Sequence, residues 1–207
     1  MLHPLLAKHL EQARSLRSAI SDERRDVLAR IAAYVRQAQA ELRPPQLVFV
    51  CTHNSRRSHL GQVWCQVAAH AHGLHSVRSH SAGTEVTACH PNTLSALESC
   101  GVQVSRGLES TNPRAVLSFG PKLPATFAWS KTIDDPSLPH AGHCAVMVCG
   151  SADAKCPFLP NALRIGCTYV DPKISDGTPE EASTYLARSL QIACEMDLVM
   201  ELATQGF

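Results

Sequence analysis

Hydrophobic and polar positions along the chain predict strands that alternate with helices. The apolar run Leu47–Val50 follows two prolines and precedes a polar loop, which predicts a buried strand. Apolar residues then recur at helical spacing from Leu60 to Val67. Further patterns predict buried strands at 145–149 and 164–170. The polar segments between these elements are where chemistry is expected.

The first 43 residues predict two helices that precede this alternation. Ser21, followed by two acidic residues, predicts the N-cap of the second helix, and Arg43-Pro44-Pro45 predicts its stop. Each helix shows one apolar stripe, which either packs against the rest of the chain or forms a homodimer interface. The stripe residues are Leu2, Leu5, Leu6 and Leu10, then Val27, Leu28, Ile31, Val35 and Ala38.

Composition narrows the function classes. With 44% hydrophobic residues, a net charge of +1 and 5% aromatic residues, the chain lacks the basic patches and stacking platforms of a nucleic-acid-binding protein. Its 207 residues are too many to need stapling by disulfides, although nine are cysteines. Neither a signal-peptide core nor a membrane-spanning stretch is evident. We therefore expect a cytoplasmic protein with reduced thiols and no membrane association.

A short polar loop follows the first strand, with Cys51 at its start and Arg57 and Ser58 at its end. A strand-to-helix turn directs main-chain N–H groups and the positive end of the helix dipole into one cavity, which suits a tetrahedral oxyanion. The same field favours the reactive thiolate of Cys51. Taken alone, a cysteine at a strand end is more often a small core residue. The predicted oxyanion-binding residues are Thr52, His53, Asn54, Ser55, Arg56, Arg57 and Ser58.

Cys51, five intervening residues, Arg57 and Ser58 resemble the phosphate-binding loop of the low-molecular-weight protein tyrosine phosphatases and of the thioredoxin-coupled arsenate reductases. Further matches are Ser81-Ala82-Gly83-Thr84 and Asp171-Pro172, and the resemblance covers about residues 46–205. It implies an α/β fold with three αβα layers around a central, mainly parallel four-stranded sheet, as in phosphatase I. The N-terminal helical hairpin and an inserted β-hairpin are additions to this fold.

A second pair of cysteines makes the chain more similar to the arsenate reductases. Cys149 ends a predicted strand, and Cys156 follows after a short segment that resembles the redox segment of those enzymes. Parallel strands bring Cys51 and Cys149 to the same sheet edge, which favours a relay. Two buried thiols, or a metal site shared with His140, His143 and Cys144, are the alternatives. Structural zinc ligands usually come as pairs two to four residues apart, and these cysteines do not, so no metal is predicted.

The resemblance implies a reaction and its partners. Cys51 attacks arsenate, Cys149 and Cys156 carry the disulfide outward, and an external dithiol such as a thioredoxin-like protein reduces it, with no bound cofactor. Asp171 follows the strand 164–170 and helps proton transfer. One alternative is a phosphatase that forms a phosphocysteine at Cys51 and hydrolyses phosphotyrosine or small phosphate esters. A second is a non-catalytic oxyanion-binding regulatory protein.

The predicted organisation is an N-terminal helical extension over residues 1–45 and a catalytic domain over 46–207, with an insertion at about 106–143. Within that insertion, 116–119 and 125–129 predict a β-hairpin that either extends the sheet or forms a wall of the active site. Asp134-Asp135-Pro136 imitates Asp171-Pro172, but Asp171 has the better claim because of its position after a strand.

Two residues depart from the loop of both families. His53 stands where they usually have glycine, and Arg56 replaces the cysteine that is common just before the arginine. A side chain at position 53 conflicts with the backbone angles that a glycine would adopt. Arg56 adds positive charge and removes a thiol.

Overall fold

The structure is a computed structural model that describes residues 1–109, 111–150 and 161–205 of the chain. Its α-helices are α1 (Pro4–Arg14), α2 (Asp22–Ala40), α3 (Arg57–Ala71), α4 (Pro91–Ser99) and α5 (Glu181–Thr204). Its strands are β1 (Gln46–Cys51), β2 (Arg78–Gly83), β3 (Gln103–Ser105), β4 (Ala115–Ser118), β5 (Thr126–Ala128), β6 (Cys144–Met147) and β7 (Leu163–Gly166). Two 3₁₀ helices cover Ser15–Ala19 and Pro172–Ser175.

A four-stranded sheet in the order β2–β1–β6–β7 forms the centre of the molecule, and every pair of neighbours is parallel. Val50 of β1 lies beside Ala82 of β2 on one side and Met147 of β6 on the other. The carboxyl ends of these three strands therefore meet at one edge, where ligands of parallel sheets bind. The predicted α/β fold with a mainly parallel central sheet is confirmed.

The helix that follows the loop is held inside the molecule. α3 is buried from Ser58 to His70, and a helix that is buried all round must be covered by other elements. On its α5 side, the fully buried Trp64 donates its Nε1–H to Ser189 Oγ at 2.8 Å, so its one polar atom is paired. α3 thus gives the loop a fixed base.

None of the described helices combines the length and apolar composition that crossing a membrane requires.

The N-terminal helices bury their apolar stripes in the chain's own core. The stripe residues that are 3% exposed or less are Leu6, Leu10, Leu28, Ile31, Val35 and Ala38. Arg14 and Arg17 add ion pairs to Asp197 of α5, at 2.9 and 2.5 Å. Ser21 caps α2 as expected, accepting from Arg24 N at 3.3 Å. Packing, the first of the two alternatives, therefore accounts for these residues, and a homodimer through the N-terminal helices stays a prediction.

The inserted hairpin forms but does not extend the central sheet. β4 and β5 pair antiparallel, and β3 joins them in a separate sheet of order β3–β4–β5. The chain then returns to the end of β2, where Gly83 N donates to Lys131 O at 2.9 Å and Ile133 N donates to Gly83 O at 3.1 Å. The insertion therefore ends against the carboxyl edge of the central sheet, beside the loop.

The last strand is shorter than the predicted 164–170. β7 ends at Gly166, although Cys167 N and Tyr169 N still donate to main-chain oxygens at the end of β6 and just beyond it. Beyond Gly166, the Tyr169 carbonyl accepts from Arg57 Nη1 of α3 at 3.0 Å. This turn of the chain brings Asp171 to the loop.

Candidate active site

The loop between β1 and α3 contains residues 52–56 and is packed closely against the end of β2. Gly83 makes this packing feasible, because a Cβ at that position would lie 2.7 Å from both Asn54 N and Thr52 O. Real Cβ atoms essentially never approach backbone atoms so closely. Asn54 itself has a φ of +43°, in the left-handed region that asparagine tolerates better than most residues. His53 is not among the described residues with positive φ, so its Cβ is accommodated.

The carbonyl groups of the loop all point outward and are bonded. The four carbonyls from Thr52 to Ser55 accept from Glu85 N, Thr87 Oγ1, Ser130 Oγ, His59 Nε2 and His90 N, each at 2.9 Å. The next carbonyl, of Arg56, accepts from Leu60 N at 3.1 Å inside α3. A run of outward carbonyls leaves the main-chain N–H groups on the opposite, inner side of the loop.

Those N–H groups have no acceptor within the described parts of the chain. From His53 to Arg57, five consecutive main-chain donors make no hydrogen bond to any residue that the structure describes. Asn54 and Ser55 are buried, and buried main-chain donors are almost always paired in native proteins. A set of converging donors at a helix N-terminus indicates an anion site. We call these five donors the N–H cradle.

Cys51 lies next to the cradle with its thiol hydrogen-bonded. Its Sγ is 3.1 Å from Ser58 Oγ, and Cys51 is 4% exposed. Lys131 N donates to Asn54 Oδ1 at 2.9 Å, which orients the amide so that Asn54 Nδ2 donates to Ser58 Oγ at 2.9 Å. The Ser58 hydroxyl hydrogen is therefore available for Cys51 Sγ. Such a donor stabilises a thiolate relative to a thiol.

His59 connects the loop to β2 as a neutral ring. Its Nε2 lies 2.9 Å from Asn54 O, and its Nδ1 lies 3.0 Å from Ser81 Oγ. Complete burial lowers the pKa of His59 to about 3, so the ring carries one hydrogen at neutral pH. Since a carbonyl only accepts, that hydrogen is on Nε2, and Nδ1 accepts from Ser81. His59 therefore holds the loop and does not act as a base.

Arg57 joins the cradle to Asp171. Its Nη2 donates to Asp171 Oδ2 at 2.7 Å and its Nη1 to Tyr169 O at 3.0 Å. Its Nε is buried and has no partner among the described residues. A guanidinium has five N–H donors in a fixed fork, so Arg57 can hold Asp171 with one edge and an oxyanion with the other. The predicted acid and the predicted anion-binding residue are thus brought together.

The N-terminal extension reaches this site through one ionic cluster. Arg24 of α2 pairs with Glu195 of α5 at 2.7 Å and lies over the Tyr169 ring, 4.5 Å from its centroid. Tyr169 Oη donates to Glu195 at 2.6 Å, and burial raises the pKa of Tyr169 well above its usual value. Because the Tyr169 carbonyl accepts from Arg57, the extension helps to fix the position of Arg57.

Cys149 lies beside the loop, two residues beyond the end of β6, so the strand predicted over 145–149 is shorter and ends at Met147. Its Sγ is 3.5 Å from Thr52 Oγ1, and it is 1% exposed. Val148 N donates to Val50 O at 2.9 Å, so the chain stays paired with β1 up to the residue before Cys149. The structure therefore places the second predicted thiol next to the residue that follows Cys51. Cys156, the third, lies outside the described residues.

The side chains of Arg56 and His53, both predicted to bind the anion, point away from the N–H cradle. Arg56 Nη2 pairs with Asp176 Oδ2 at 2.7 Å, and Arg56 Nε donates to Tyr185 Oη at 2.5 Å. His53 is half-exposed, with Nε2 3.4 Å from Glu85 Oε2. Both residues contribute their main-chain N–H groups to the cradle, but their side chains do not close it.

The cysteines other than Cys51, Cys149 and Cys156, and the competing carboxylate Asp135, have structural surroundings. Burial raises the pKa of six further cysteines, Cys65, Cys89, Cys100, Cys144, Cys167 and Cys194, which keeps them protonated. Asp135 Oδ1 accepts from Ser137 N at 2.9 Å within a local turn, and no bond from Asp135 to a loop residue occurs among the described residues. Within residues 1–109, 111–150 and 161–205, no group of three or more His, Cys, Asp or Glu could hold a metal ion.

Several residues at this site carry no sequence signal of their own. Lys131 orients Asn54 through its main-chain N–H, and Ser130 bonds the His53 carbonyl, so the insertion forms a wall of the loop. Tyr185 contacts Arg56 from the distant helix α5. Each of these contacts depends on tertiary structure that a local pattern does not encode. Only the position of the insertion, noted as a candidate wall, pointed to any of them.

The carboxyl edge of this parallel sheet thus carries a cysteine, an N–H cradle and an arginine, a set of groups that suits an oxyanion. The family model described as low molecular weight phosphotyrosine protein phosphatase matches residues 46–115, which contain this loop. An arsenate reductase from Bacillus licheniformis is 28% identical over 143 residues, which are 69% of this chain and 84% of that protein.

Solved structures agree on the fold. The low molecular weight phosphotyrosine phosphatase from Vibrio cholerae O395 has a TM-score of 0.51 at 16% identity and covers 79% of this chain and 99% of its own. An arsenate reductase in the phosphate binding state has a TM-score of 0.50 at 14% identity, and the match covers 76% of this chain and 97% of that protein. The matches confirm the predicted resemblance to this superfamily, and the prediction of an enzyme that is an arsenate reductase or a cysteine-dependent phosphatase.

Proposed function

We propose that this protein reduces arsenate to arsenite through a relay from Cys51 to Cys149 to Cys156. The observation that carries the proposal is the N–H cradle above Cys51, with five main-chain donors that no described residue uses. The contact between Cys149 and Thr52 supports the relay, because it places a second thiol at the loop. The arsenate reductase name of the Bacillus licheniformis relative supports the same reaction.

The first step forms a bond between sulfur and arsenic. Arsenate enters the cradle, where the main-chain N–H groups and the unpaired edge of Arg57 neutralise its charge. The Cys51 thiolate attacks the arsenic atom, and one arsenate oxygen leaves as water. Arsenate enters as its dihydrogen anion, and the Asp171 carboxylate, 2.7 Å from Arg57, transfers one of that anion's protons to the departing oxygen. The product is a covalent adduct of Cys51 with arsenic(V).

The second and third steps transfer electrons from two thiols. The Cys149 thiolate attacks Cys51 Sγ, a disulfide forms, and the electron pair of the sulfur–arsenic bond leaves with arsenic as arsenite. The Cys156 thiolate then attacks Cys149 Sγ, which releases Cys51 as a thiolate and leaves a disulfide between Cys149 and Cys156. An external dithiol of the thioredoxin kind reduces that disulfide and is itself oxidised.

The proposal also covers the domain organisation of the chain and its location in the cell. The domain that begins at residue 46 carries the chemistry, and the extension of residues 1–45 supports it through Arg24, which pairs with Glu195 beside Tyr169. A relay that ends in a reducible disulfide suits the cytoplasm, where thiol pools keep dithiols reduced.

Replacing Cys149 with serine separates reduction from hydrolysis. We expect Cys149→Ser to stop arsenate reduction in the presence of thioredoxin and thioredoxin reductase, because the adduct then has no attacking thiol, while hydrolysis of 4-nitrophenyl phosphate changes less than about threefold. Cys194→Ala is the matched control, since Cys194 is buried and lies outside the loop. Steady arsenate reduction by Cys149→Ser at the wild-type rate would overturn the relay.

A phosphatase is the second candidate function, favoured by the family model that matches residues 46–115. Phosphate and arsenate have the same charge and shape, so the cradle suits both. In this case Cys51 becomes a phosphocysteine, and Asp171 first protonates the leaving oxygen and then activates water. Wild-type protein that hydrolyses aryl phosphates but leaves arsenate unreduced would establish this function instead.

A further inference from the structure

A second ion pair lies beside the one that joins Arg57 to Asp171. Arg56 Nη2 contacts Asp176 Oδ2 at 2.7 Å, Arg56 Nε donates to Tyr185 Oη at 2.5 Å, and Tyr185 Oη donates to Asp176 Oδ1 at 2.7 Å. Each bond uses a different donor hydrogen, so all three form together. We call Arg56, Asp176 and Tyr185 the latch.

The latch and the pair between Arg57 and Asp171 hold the two ends of one short segment. Asp171 caps the 3₁₀ helix Pro172–Ser175, accepting from Lys173 N at 3.1 Å, and Asp176 directly follows that helix. Consecutive arginines of the loop therefore grip the carboxylates on either side of it. Ile174, between them, is 75% exposed, whereas Pro172 and Ser175 are buried, so the ion pairs add to a segment that is only partly fixed by packing.

The latch is shielded from water by its surroundings. The Arg56 and Asp176 side chains are 12% and 27% exposed, and Tyr185 is 1% exposed. The His90 ring stacks on Tyr185 with centroids 5.8 Å apart, and His90 N donates to Ser55 O of the loop at 2.9 Å. Shielded ion pairs with satisfied hydrogen bonds specify one geometry more than they add stability. The latch therefore fixes the position of the segment between Asp171 and Asp176.

Asp171 needs a second support because Arg57, which holds it, also binds the oxyanion. When an oxyanion occupies the cradle, the Arg57 guanidinium divides its donors between that anion and Asp171, which weakens its hold on the carboxylate. Asp171 is 29% exposed, and the bond that its Oδ1 accepts from Lys173 N ties it to its own segment and not to the loop. The latch keeps the segment in place during that exchange.

We propose that Arg56, Asp176 and Tyr185 are positioning residues that hold Asp171 at the N–H cradle while substrate is bound. The inference rests on the acid role of Asp171, which the reductase and the phosphatase share. In this inference the Arg56 side chain helps to position the acid Asp171 and does not bind the anion, whereas its neighbour Arg57 does bind the anion. The replacement of the usual cysteine by Arg56 thus brings its own partners, Asp176 and Tyr185.

A double-mutant cycle tests this coupling. We expect Asp176→Asn to lower kcat about tenfold, a fraction of what a general acid supplies, with KM and inhibition by inorganic phosphate changed less than about twofold. In an Asp171→Asn background, the same substitution should lower kcat less than about twofold, because there is no acid left to position. Tyr185→Phe should show a smaller loss with the same dependence on Asp171.

The controls separate positioning from general damage. Glu180→Gln removes a nearby exposed carboxylate that does not contact the latch, and we expect it to leave kcat unchanged. Equal losses from Asp176→Asn in both backgrounds, or a phosphate inhibition constant raised more than about fivefold, would overturn the inference. The cycle is read on arsenate reduction, and on 4-nitrophenyl phosphate hydrolysis if arsenate is not reduced, so failure of the proposed reduction remains distinguishable.

Hydrogen exchange gives a readout that needs no activity. With inorganic phosphate bound, main-chain amides of residues 173–178 should exchange about tenfold faster in Asp176→Asn than in wild type, because the segment loses one of its two ion-pair anchors. Amides of α3 should not change. Unaltered exchange at 173–178 would show that the latch does not hold the segment, whatever the enzyme's reaction.

Discussion

Cys51→Ser is expected to lower kcat by about 10⁴-fold or more for arsenate reduction and for phosphate ester hydrolysis alike, since both begin with attack by this sulfur. A serine hydroxyl is almost wholly protonated at neutral pH, and Ser58, 3.1 Å from the sulfur, cannot replace a base. The cradle itself is unchanged by the substitution. Inorganic phosphate should therefore bind within about threefold of the wild-type affinity in a calorimetric titration.

The buried cysteines supply the control for this result. Cys100→Ala removes a thiol whose pKa burial raises to about 11, and we expect its kcat to match that of wild type. Turnover by Cys51→Ser within tenfold of wild type would show that another group is the nucleophile. Lost phosphate binding with retained fold would show that the sulfur shapes the cradle.

Arg57→Lys is expected to cost about 10²- to 10³-fold in kcat/KM, although it conserves charge. Arg57 donates to Tyr169 O and to Asp171 Oδ2, and its Nε has no partner among the described residues. The proposed contact of that Nε edge with the anion adds a third task, and the three together need a planar fork. A lysine ammonium has a single nitrogen and cannot reach three places at once. The affinity for inorganic phosphate should fall together with kcat, since the anion and the acid are both released.

Arg106→Lys is the matched control. Arg106 forms a bidentate pair with Glu98 far from the loop, and we expect this substitution to leave kcat/KM within about twofold, as exposed pairs contribute little. An Arg57→Lys variant with the kinetics of this control would mean that charge alone holds the substrate. The assignment of a dual role to Arg57 would then be wrong.

The parts of the site that lie together in sequence were predictable. β1, the loop and the start of α3 follow one another from Gln46 to Ala71, so an apolar run, a polar turn and a helical stripe identify them. The sheet and its parallel pairing followed from the family resemblance. That resemblance also led to Asp171, which lies 114 residues from Arg57 and contacts it at 2.7 Å.

Contacts between distant residues were not predictable from local pattern. Lys131 orients Asn54 from 77 residues away, and the pattern of a hairpin is the same whether it extends a sheet or forms a wall. An apolar stripe likewise indicates burial but not what covers it, and in α1 and α2 the cover is the chain's own core. The sequence predicts Arg56 as an anion ligand together with the rest of the loop. Successive residues at a helix start point in different directions, however, and Arg56 turns to Tyr185.

The two additions to the fold act on the same loop. The insertion supplies Lys131 and Ser130, and the N-terminal extension supplies Arg24 behind Tyr169. The additions also contact each other, because His3 N donates to Phe119 O at 2.7 Å. They therefore brace the loop and Arg57 from two sides.

The central claim is that Cys51 is a reactive thiolate beneath an oxyanion cradle, and its alkylation rate tests this most directly. Iodoacetamide at pH 7, followed by peptide mass spectrometry, should modify Cys51 well before Cys65 or Cys100, and added arsenate or phosphate should slow the modification of Cys51 alone. Modification of Cys51 no faster than of those buried thiols, and unaffected by either oxyanion, would contradict the account.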